Sequence, residues 1–279
     1  MKRILLSLLF VAVAVAIQAQ DAAGVLSLAR RVNDYFVAQN PDPTKPTFVK
    51  KKRTSNLWTR AVYYEGLMDL YSVDPDKRYL EYTDRWGVYH KWTARGSVDD
   101  TNADNQCCEQ TYIDRFAATG DSVMIAPTTE NLNHQMATGR KNYWWWIDAI
   151  QMAMPVYAKY AKISGDRHYL DYAMDCYRDA RDRRGLFNIA DGLWWRDSVY
   201  KAPYKEPDGK NCYWSRGNGW VYAALVRVMK TVDADDPYYK ELLKDYLLMT
   251  HALVKLQRRD GYWNASLVST NYAGPEMTG

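Results

Sequence analysis

The stretch Thr119-Gly120-Asp121 has the composition of a turn between two helices. Glycine accepts the left-handed conformation in which many helices end, and aspartate caps the first turn of the helix that follows. The pattern returns at Ser164-Gly165-Asp166, and the related turn Val73-Asp74-Pro75-Asp76 precedes both. Asp74, Asp121 and Asp166 are separated by 47 and 45 residues. A nearly constant interval of this length is typical of stacked helical hairpins.

The segments on either side of these turns predict the helices of the hairpins. The first pair is predicted over residues 57–71 and 79–92, and a fourth pair begins near Ser215 and turns at residues 232–236. One further helix is predicted over residues 22–39. The sequence therefore predicts an all-α fold of repeated hairpins.

The segment from Arg184 to Tyr213 interrupts the repeat between the third and fourth pairs. It contains Gly192-Leu193-Trp194-Trp195-Arg196-Asp197, with further glycine and proline residues on both sides. This composition predicts short extended segments and a long loop. Loops of this length in compact domains are usually functional.

The composition is that of a globular protein with an unusual choice of aromatic residues. Of the 279 residues, 47% are hydrophobic and 25% are charged, but there are 23 Tyr and 11 Trp against 5 Phe. Tyr and Trp offer a flat apolar face and a polar edge, which suits sugar rings, and they serve equally as core residues. The formal charge is +4, and the basic run Lys50-Lys51-Lys52-Arg53 is interpreted as a solvated loop rather than a nucleic-acid surface.

The first nineteen residues have the pattern of a secretory signal peptide. Lys2 and Arg3 precede an apolar stretch over residues 4–17, and Ala19 provides a small residue for cleavage. The stretch is short for a membrane span. We therefore expect residues 1–19 to be removed, and residues 20–279 to form a secreted or periplasmic domain without a membrane anchor.

The cysteine and histidine residues do not predict a metal site. Cys107 and Cys108 are adjacent, Cys176 and Cys212 stand apart, and no spacing is that of a zinc site or a disulfide framework. The four histidines are scattered along the chain. We expect buried free thiols, no metal and no cofactor.

The block Tyr213-Trp214-Ser215-Arg216-Gly217-Asn218-Gly219-Trp220 is the strongest candidate for a binding site. Ser215 is predicted to cap a helix whose first residue is Arg216, so that Arg216 and Trp220 share one face. A guanidinium holds a carboxylate through two hydrogen bonds. Gly217 and Gly219 would let a ligand approach the backbone. The alternative is a capped helix with a core tryptophan.

Two aspartates are candidates for acid–base chemistry. Asp148 follows Trp144, Trp145 and Trp146, and on a helix Trp144 and Trp145 would share its face. Indole surroundings would raise its pKa, as a general acid needs. Asp104 precedes a helix predicted over residues 107–116. The alternative for Asp148 is an aspartate in the first turn that only stabilises its own helix. The alternative for Asp104 is a helix cap.

These motifs resemble a known family of enzymes. The segments over residues 145–149, 214–220 and 274–279 are similar to those of the unsaturated glucuronyl and rhamnogalacturonyl hydrolases, glycoside hydrolase families 88 and 105. The resemblance implies an (α/α)6 barrel. It also implies that an unsaturated uronic acid is removed from an acidic oligosaccharide by hydration of the ring double bond, without a cofactor.

The resemblance also assigns roles to individual residues. Asp148 matches the general acid/base and Asp104 the second aspartate, while Arg216 and Trp220 match the residues that hold the uronate. Trp214 and Trp145 stand beside these positions as further candidates for substrate binding, and Arg196 stands where many members have a histidine. The chain ends where the family's barrel continues, so we expect the barrel to lack its last inner helices.

Two other functions remain open from the sequence. A polysaccharide lyase or another enzyme with an α-toroid fold would have similar hairpins, and a non-catalytic carbohydrate-binding protein would keep the aromatic surface. Pectin and glycosaminoglycan fragments are both possible sources of the substrate. Neither the linkage nor the oligomeric state follows from the sequence.

Overall fold

Each predicted turn separates two helices in the structure, a computed structural model that describes residues 22–270 and 275–276. Gly120 and Gly165 end their helices in the left-handed conformation, with φ of 72° and 71°. Asp76 and Asp236 cap the helices that follow, because each carboxylate accepts a hydrogen bond from a backbone N–H two residues on. The all-α prediction is confirmed.

The elements follow one another as helical pairs with short strands between them. The helices are α1 (22–39), α2 (Trp58–Val73), α3 (Lys77–Tyr89), α4 (Ala103–Gln106), α5 (Glu109–Thr119), α6 (Ala126–Ala137), α7 (Asp148–Ser164), α8 (His168–Arg178), α9 (Ser215–Met229) and α10 (Pro237–Leu256), with a 3₁₀ turn at Ser122–Met124 and a π-helical turn at Asp179–Arg183. The strands form three antiparallel two-stranded sheets: β1 (Thr47–Val49) with β2 (Lys51–Arg53), β3 (Phe187–Asn188) with β4 (Leu193–Trp194), and β5 (Trp263–Asn264) with β6 (Pro275–Glu276).

The first helix of each pair lies inside and the second lies outside. Helices α2, α5, α7 and α9 pack side by side, and each also packs against the outer helix of its own pair. Helix α7 is at the centre of this layer, and it is buried without interruption from Asp148 to Ala158. The inner helices run in the same direction, so their N-termini lie at one end of the molecule.

Some helix boundaries differ from the predicted ones. Helix α3 ends at Tyr89 rather than Trp92, because Lys91 and Trp92 adopt positive φ values of 56° and 54°. The helix predicted over residues 107–116 is α5, which begins at Glu109, and a separate short helix, α4, precedes it, with Cys107 and Cys108 between the two. Asp104 therefore lies within the first turn of α4 rather than before the helix.

The insertion over residues 184–213 contains the predicted short strands and long loop. Asn218, on α9, holds β4 against the start of that helix. Its side-chain oxygen accepts a hydrogen bond from the Trp194 N–H at 2.8 Å, and its amide nitrogen donates to the carbonyls of Trp194 and Trp214, both at 2.9 Å. The insertion is thereby attached to the N-terminal end of the inner helices.

The aromatic residues serve both purposes left open by the composition. Trp86 stacks on Tyr64 at a centroid distance of 3.8 Å, and both are fully buried in the core. Trp58, Trp145, Trp214 and Trp220, in contrast, remain partly or largely accessible. Cys107, Cys108 and Cys176 are buried free thiols as expected, whereas Cys212 is only half-buried. The predicted signal peptide lies outside the described residues, and within them no helix is long and apolar enough to cross a membrane.

Candidate active site

The site is built from the N-termini of four inner segments. Trp58 begins α2, Asp104 lies in the first turn of α4, Asp148 begins α7, and Arg216 is the second residue of α9. Since inner helices of this kind begin at the same end of the fold, residues far apart in the sequence meet there. The positive ends of the helix dipoles point to the same place and favour a negatively charged ligand.

Asp148 has the environment of a general acid. The residue is 9% exposed, and among the described residues its Oδ2 has no hydrogen-bond partner. Burial raises the pKa of the carboxyl group, and the Asp197 charge adds to this. Its own backbone N–H, Arg196 and Arg216 act in the opposite direction, but burial outweighs them. A carboxyl group whose pKa is raised can hold a proton and transfer it to a bound molecule.

The expected arrangement of tryptophans around Asp148 is wrong. Helix α7 begins at Asp148, so Trp144 and Trp145 precede the helix and share no helical face with it. Trp144 is fully buried near Tyr157, whereas Trp145 is 52% exposed and packs on Trp146 at a centroid distance of 4.6 Å. Asp148 lies in the first turn of its helix, as the alternative interpretation had it. Burial raises the pKa of Asp148 at this position.

Asp104 is close to Asp148 and is not a helix cap. Asn102 provides the cap of α4, because its side chain accepts a hydrogen bond from the Asp104 N–H at 2.9 Å. The pKa of Asp104 is raised to about 6 by burial and then by the Asp148 charge, whereas Arg53 lowers it. The fold therefore brings the two predicted aspartates together, and the charge on one raises the pKa of the other.

Arg216 lies near Asp148 and above an indole ring. Its guanidinium is 4.4 Å from the centre of the Trp214 ring, and its charge lowers the pKa of Asp148. Trp214, not Ser215, is the N-cap residue, so that Arg216 is the second helical residue rather than the first. Boundaries of this kind shift by a residue, and Arg216 remains in the first turn.

Gly217 serves the packing of the site rather than the approach of a ligand. A Cβ atom there would lie 2.7 Å from Trp214 Cε3 and 2.8 Å from Ile147 Cδ1. The absence of a side chain lets the start of α9 lie directly against the residue that precedes Asp148. The expectation that a ligand contacts the backbone at Gly217 is therefore wrong.

The insertion contributes Arg196 to the same place. Trp146 and Asp197 form an antiparallel bridge, and the Ile147 N–H donates to the Arg196 carbonyl at 3.0 Å. The Arg196 guanidinium lies 3.1 Å from Asp197, which is 4% exposed, and its charge reaches Asp148. Arg196 is therefore a second cation beside the candidate acid, held by a buried carboxylate.

Trp58 and Arg53 belong to the site although the sequence analysis did not select them. Trp58 contacts Trp220 edge to face, with ring centres 6.3 Å apart, and the charge of Arg53 acts on Asp104. Trp220 is half-buried, and its indole nitrogen has no hydrogen-bond partner among the described residues. The repeat could have identified Trp58, because it begins the first inner helix as Asp148 begins the third.

Comparisons with known proteins agree with this geometry. Residues 28–279 match the family model described as Glycosyl Hydrolase Family 88. The chain belongs to glycosyl hydrolase family 88. A family 88 protein from Bacteroides vulgatus has a solved structure with a TM-score of 0.81 and 31% identity, over 90% of this chain and 73% of that one. The predicted family and α/α barrel class are thus confirmed.

Other similar proteins carry more specific names. The unsaturated 3S-rhamnoglycuronyl hydrolase of Formosa agariphila is 28% identical over 248 residues, 80% of this chain and 63% of that protein. The enzyme of the same name from Alteromonas sp. is 27% identical over 91% of this chain and 67% of that protein. This family 88 chain spans slightly less than two thirds of the Formosa relative. A solved structure named as a polysaccharide lyase also resembles it, with a TM-score of 0.82 and 28% identity over 91% of this chain and 73% of that one.

Proposed function

We propose that this protein releases a terminal unsaturated uronic acid from an acidic oligosaccharide by adding water to the ring double bond. The observation that carries the proposal is the position of Asp148. It is a buried carboxyl group with a raised pKa, near enough to Asp104, Arg196 and Arg216 for their charges to interact. An acid, a second carboxylate and cations for a uronate are together what this reaction needs.

The reaction follows from the chemistry of the unsaturated ring. Its double bond joins C4 to C5, and C5 also carries the ring oxygen, so that C4 is electron-rich. Asp148 gives a proton to C4, and a water molecule adds at C5 and loses a proton to a carboxylate of the site. The resulting hemiketal opens to a ketone, which leaves a hemiacetal at C1. This hemiacetal expels the neighbouring sugar as an alcohol and becomes an aldehyde.

The side chains around Asp148 define how the substrate lies. Arg216 is in position to bind the carboxylate on C5, and the N-terminus of α9 strengthens this preference for an anion. Trp58, Trp214 and Trp220 offer flat apolar surfaces for the sugar ring. We assign Trp145 and Arg196 to the rim of the same site, where they contact the substrate from the side of the insertion.

The source of the substrate is an acidic polysaccharide that lyases have already cleaved. Pectin and glycosaminoglycans both yield such ends, and the names of the Formosa and Alteromonas relatives favour fragments in which the uronate is linked to rhamnose. We further propose that the protein is secreted or periplasmic, because residues 1–19 have the pattern of a signal peptide. Fractionation of cells that express the whole chain tests this, and retention in the cytoplasm would contradict it.

One absorbance assay separates the proposed activity from its alternatives. The conjugated double bond of the substrate absorbs in the near ultraviolet, so hydration lowers the absorbance of a lyase-digested substrate. A polysaccharide lyase, the alternative that the similar structure of that name favours, would raise the absorbance of an intact polymer instead. A binding protein would change neither signal.

A matched saturated oligosaccharide is the control for the mechanism. Protonation of a vinyl ether needs the double bond, whereas an ordinary glycosidase displaces the saturated glycoside with two carboxylates. We expect the unsaturated compound to be cleaved and the saturated one to remain intact. Comparable cleavage of both would exclude hydration.

A further inference from the structure

We propose that Glu65, on the inner helix α2, is a positioning residue that holds Asp104 and Asp148 at a fixed separation. It acts through Cys107 and Gln151, each of which follows one of the two aspartates by three residues. The inference rests on the proposed function, because it concerns the two carboxyl groups to which that reaction is assigned.

Glu65 lies among the inner helices, where it is 2% exposed. One carboxylate oxygen, Oε1, accepts a hydrogen bond from the Cys107 thiol at 3.1 Å and another from Gln110 Nε2 at 3.0 Å. The other oxygen, Oε2, accepts a hydrogen bond from Gln151 Nε2 at 2.9 Å and lies 3.6 Å from the Arg227 guanidinium. A single carboxyl group therefore joins α2 to the segment between α4 and α5, and to α5, α7 and α9.

Two of these contacts lead to the aspartates of the candidate site. Cys107 ends the turn of α4 that contains Asp104, and Gln151 lies in the first turn of α7, which begins at Asp148. Residues that are three apart on a helix are separated by about 4.5 Å along its axis and lie on the same side. The contacts with Glu65 are therefore one helical turn away from both carboxyl groups of the site.

The charges around Glu65 keep these hydrogen bonds in place. Burial raises the pKa of the Glu65 carboxyl group to about 7, whereas Arg227 and the Cys107 thiol lower it, and the charges of Lys159 and Asp114 act in opposite directions. Burial and the Glu65 charge raise the pKa of the Cys107 thiol, so the sulfur keeps its proton and remains a donor. Separation of these groups would leave buried polar atoms without partners, which is unfavourable, and the contacts therefore resist movement of the helices.

The separation of Asp104 and Asp148 matters for the proposed reaction. The Asp148 charge raises the pKa of Asp104, and this effect weakens with distance. The reaction also needs the acid at C4 and the water at C5 of one ring, and its rate is sensitive to the placement of both. Because two carboxylates repel each other, loss of a contact with Glu65 should let them move apart.

The test removes the contacts one at a time, because loss of Glu65 itself would leave several buried donors unpaired and can unfold the core. Gln151→Met removes the donor to Oε2 with little change in size, and Cys107→Ala removes the thiol donor to Oε1. Cys107→Ser provides a donor at the same position. The control is Cys108→Ala, which removes an equally buried sulfur whose hydrogen bond goes to the Asn105 carbonyl. Thermal unfolding checks that each variant is folded at the assay temperature.

We expect Gln151→Met and Cys107→Ala to lower kcat on an unsaturated oligosaccharide by about five- to fiftyfold, since a misplacement of about 1 Å can cost about a hundredfold. KM should stay within about twofold, because the residues assigned to the uronate are unchanged. In carbon-13 NMR, the pKa of Asp104 should fall below its value of about 6 in both variants, because the Asp148 charge lies further away. Neither substitution removes a charge, so this change reports the position of the aspartates.

Cys107→Ser and the control Cys108→Ala should both retain the kcat of the wild type and its Asp104 pKa. Unchanged values in Cys107→Ala and Gln151→Met would overturn the inference and leave the proposed function intact. Equal losses in Cys108→Ala would also overturn it, because any small cavity in this region would then have the same effect. A failure of Cys107→Ser to recover the activity lost in Cys107→Ala would count against it as well.

If the wild type cleaves no unsaturated oligosaccharide, the proposed function fails. The NMR titration of Asp104 in the wild type and the four variants then decides the inference by itself, because it needs no substrate. A lower pKa of Asp104 in Cys107→Ala and Gln151→Met, but not in Cys107→Ser or Cys108→Ala, would support the positioning role. The same pKa in all five proteins would reject it.

Discussion

Replacement of Asp148 by asparagine tests the candidate acid directly. The amide has nearly the same shape as the carboxyl group but cannot donate a proton and recover it. Loss of a general acid or base lowers the rate by about 10²–10⁴, which corresponds to a barrier higher by about 3–5 kcal/mol. We therefore expect kcat on an unsaturated oligosaccharide to fall by at least two orders of magnitude in Asp148→Asn, measured by loss of near-ultraviolet absorbance.

The same variant should remain folded, because the substitution has two effects on the free energy of unfolding and these oppose each other. Loss of a negative charge at the N-terminus of α7 costs about 0.3–1 kcal/mol. In the wild type, however, the folded state holds the proton of Asp148 more tightly than the unfolded chain does, because burial raises its pKa. This contribution to the stability is present at low pH and is lost as the pH rises from the unfolded pKa of about 3.9 through the higher folded pKa.

Asparagine has no such titration, so the stability of the variant relative to the wild type should increase from pH 4 to pH 8. At pH 7 the two melting temperatures should differ by less than about 4 °C, since 1 kcal/mol corresponds to roughly 2–4 °C at this size. Asp171→Asn, in the first turn of the outer helix α8, is the control and should keep its activity. Activity of Asp148→Asn within tenfold of the wild type, with the fold intact, would refute the assignment.

Three further predictions concern the surroundings of Asp148. Arg216→Ala should raise KM for unsaturated uronates by about ten- to a hundredfold, as expected for loss of a charge-assisted hydrogen bond. The control Arg259→Ala, which changes an exposed arginine, should leave KM unchanged. Equal KM values for Arg216→Ala and the wild type would exclude Arg216 from uronate binding. Carbon-13 NMR should show the Asp104 carboxyl group of the wild type titrating with a pKa of about 6. In Asp148→Asn this pKa should be lower, because the neighbouring charge that raises it is gone. An unchanged pKa would mean that the two groups do not interact. Gly217→Ala should lower the free energy of unfolding by about 1–3 kcal/mol in urea denaturation, because the new methyl group would lie 2.7 and 2.8 Å from side chains that cannot move freely; an unchanged midpoint would show that they can.

The sequence was sufficient for the repeat because its signals are local. The glycine and aspartate residues of the turns act on the backbone of their own neighbours, so the positions of Gly120 and Gly165 could be interpreted without knowledge of the rest of the chain. Similarly, Arg216 and Trp220 stand four residues apart on one helix, and their common face follows from helical geometry. The family resemblance added the roles of Asp104 and Asp148, which their local sequence left ambiguous.

The errors arose where the outcome depends on contacts between distant segments. Trp144 was expected on the face of Asp148, but Trp146 pairs with Asp197 of the insertion and α7 begins only at Asp148, so Trp144 lies outside the helix. Gly217 was assigned to a ligand because its closeness to Ile147, the residue before α7, cannot be read from its neighbours in sequence. For the same reason, the basic run that ends at Arg53 gave no local sign that it lies beside Asp104.

The sequence by itself determined the period of the hairpins, the turns that end them and the residue types of the site. The tertiary structure alone decided that Trp58, Asp104, Asp148 and Arg216 meet at one end of the inner helices, and which tryptophans are core and which are accessible. The pKa values of the two aspartates belong to the second group. A carboxyl group acquires a raised pKa from burial and from its neighbours' charges, and both exist only once the helices are packed.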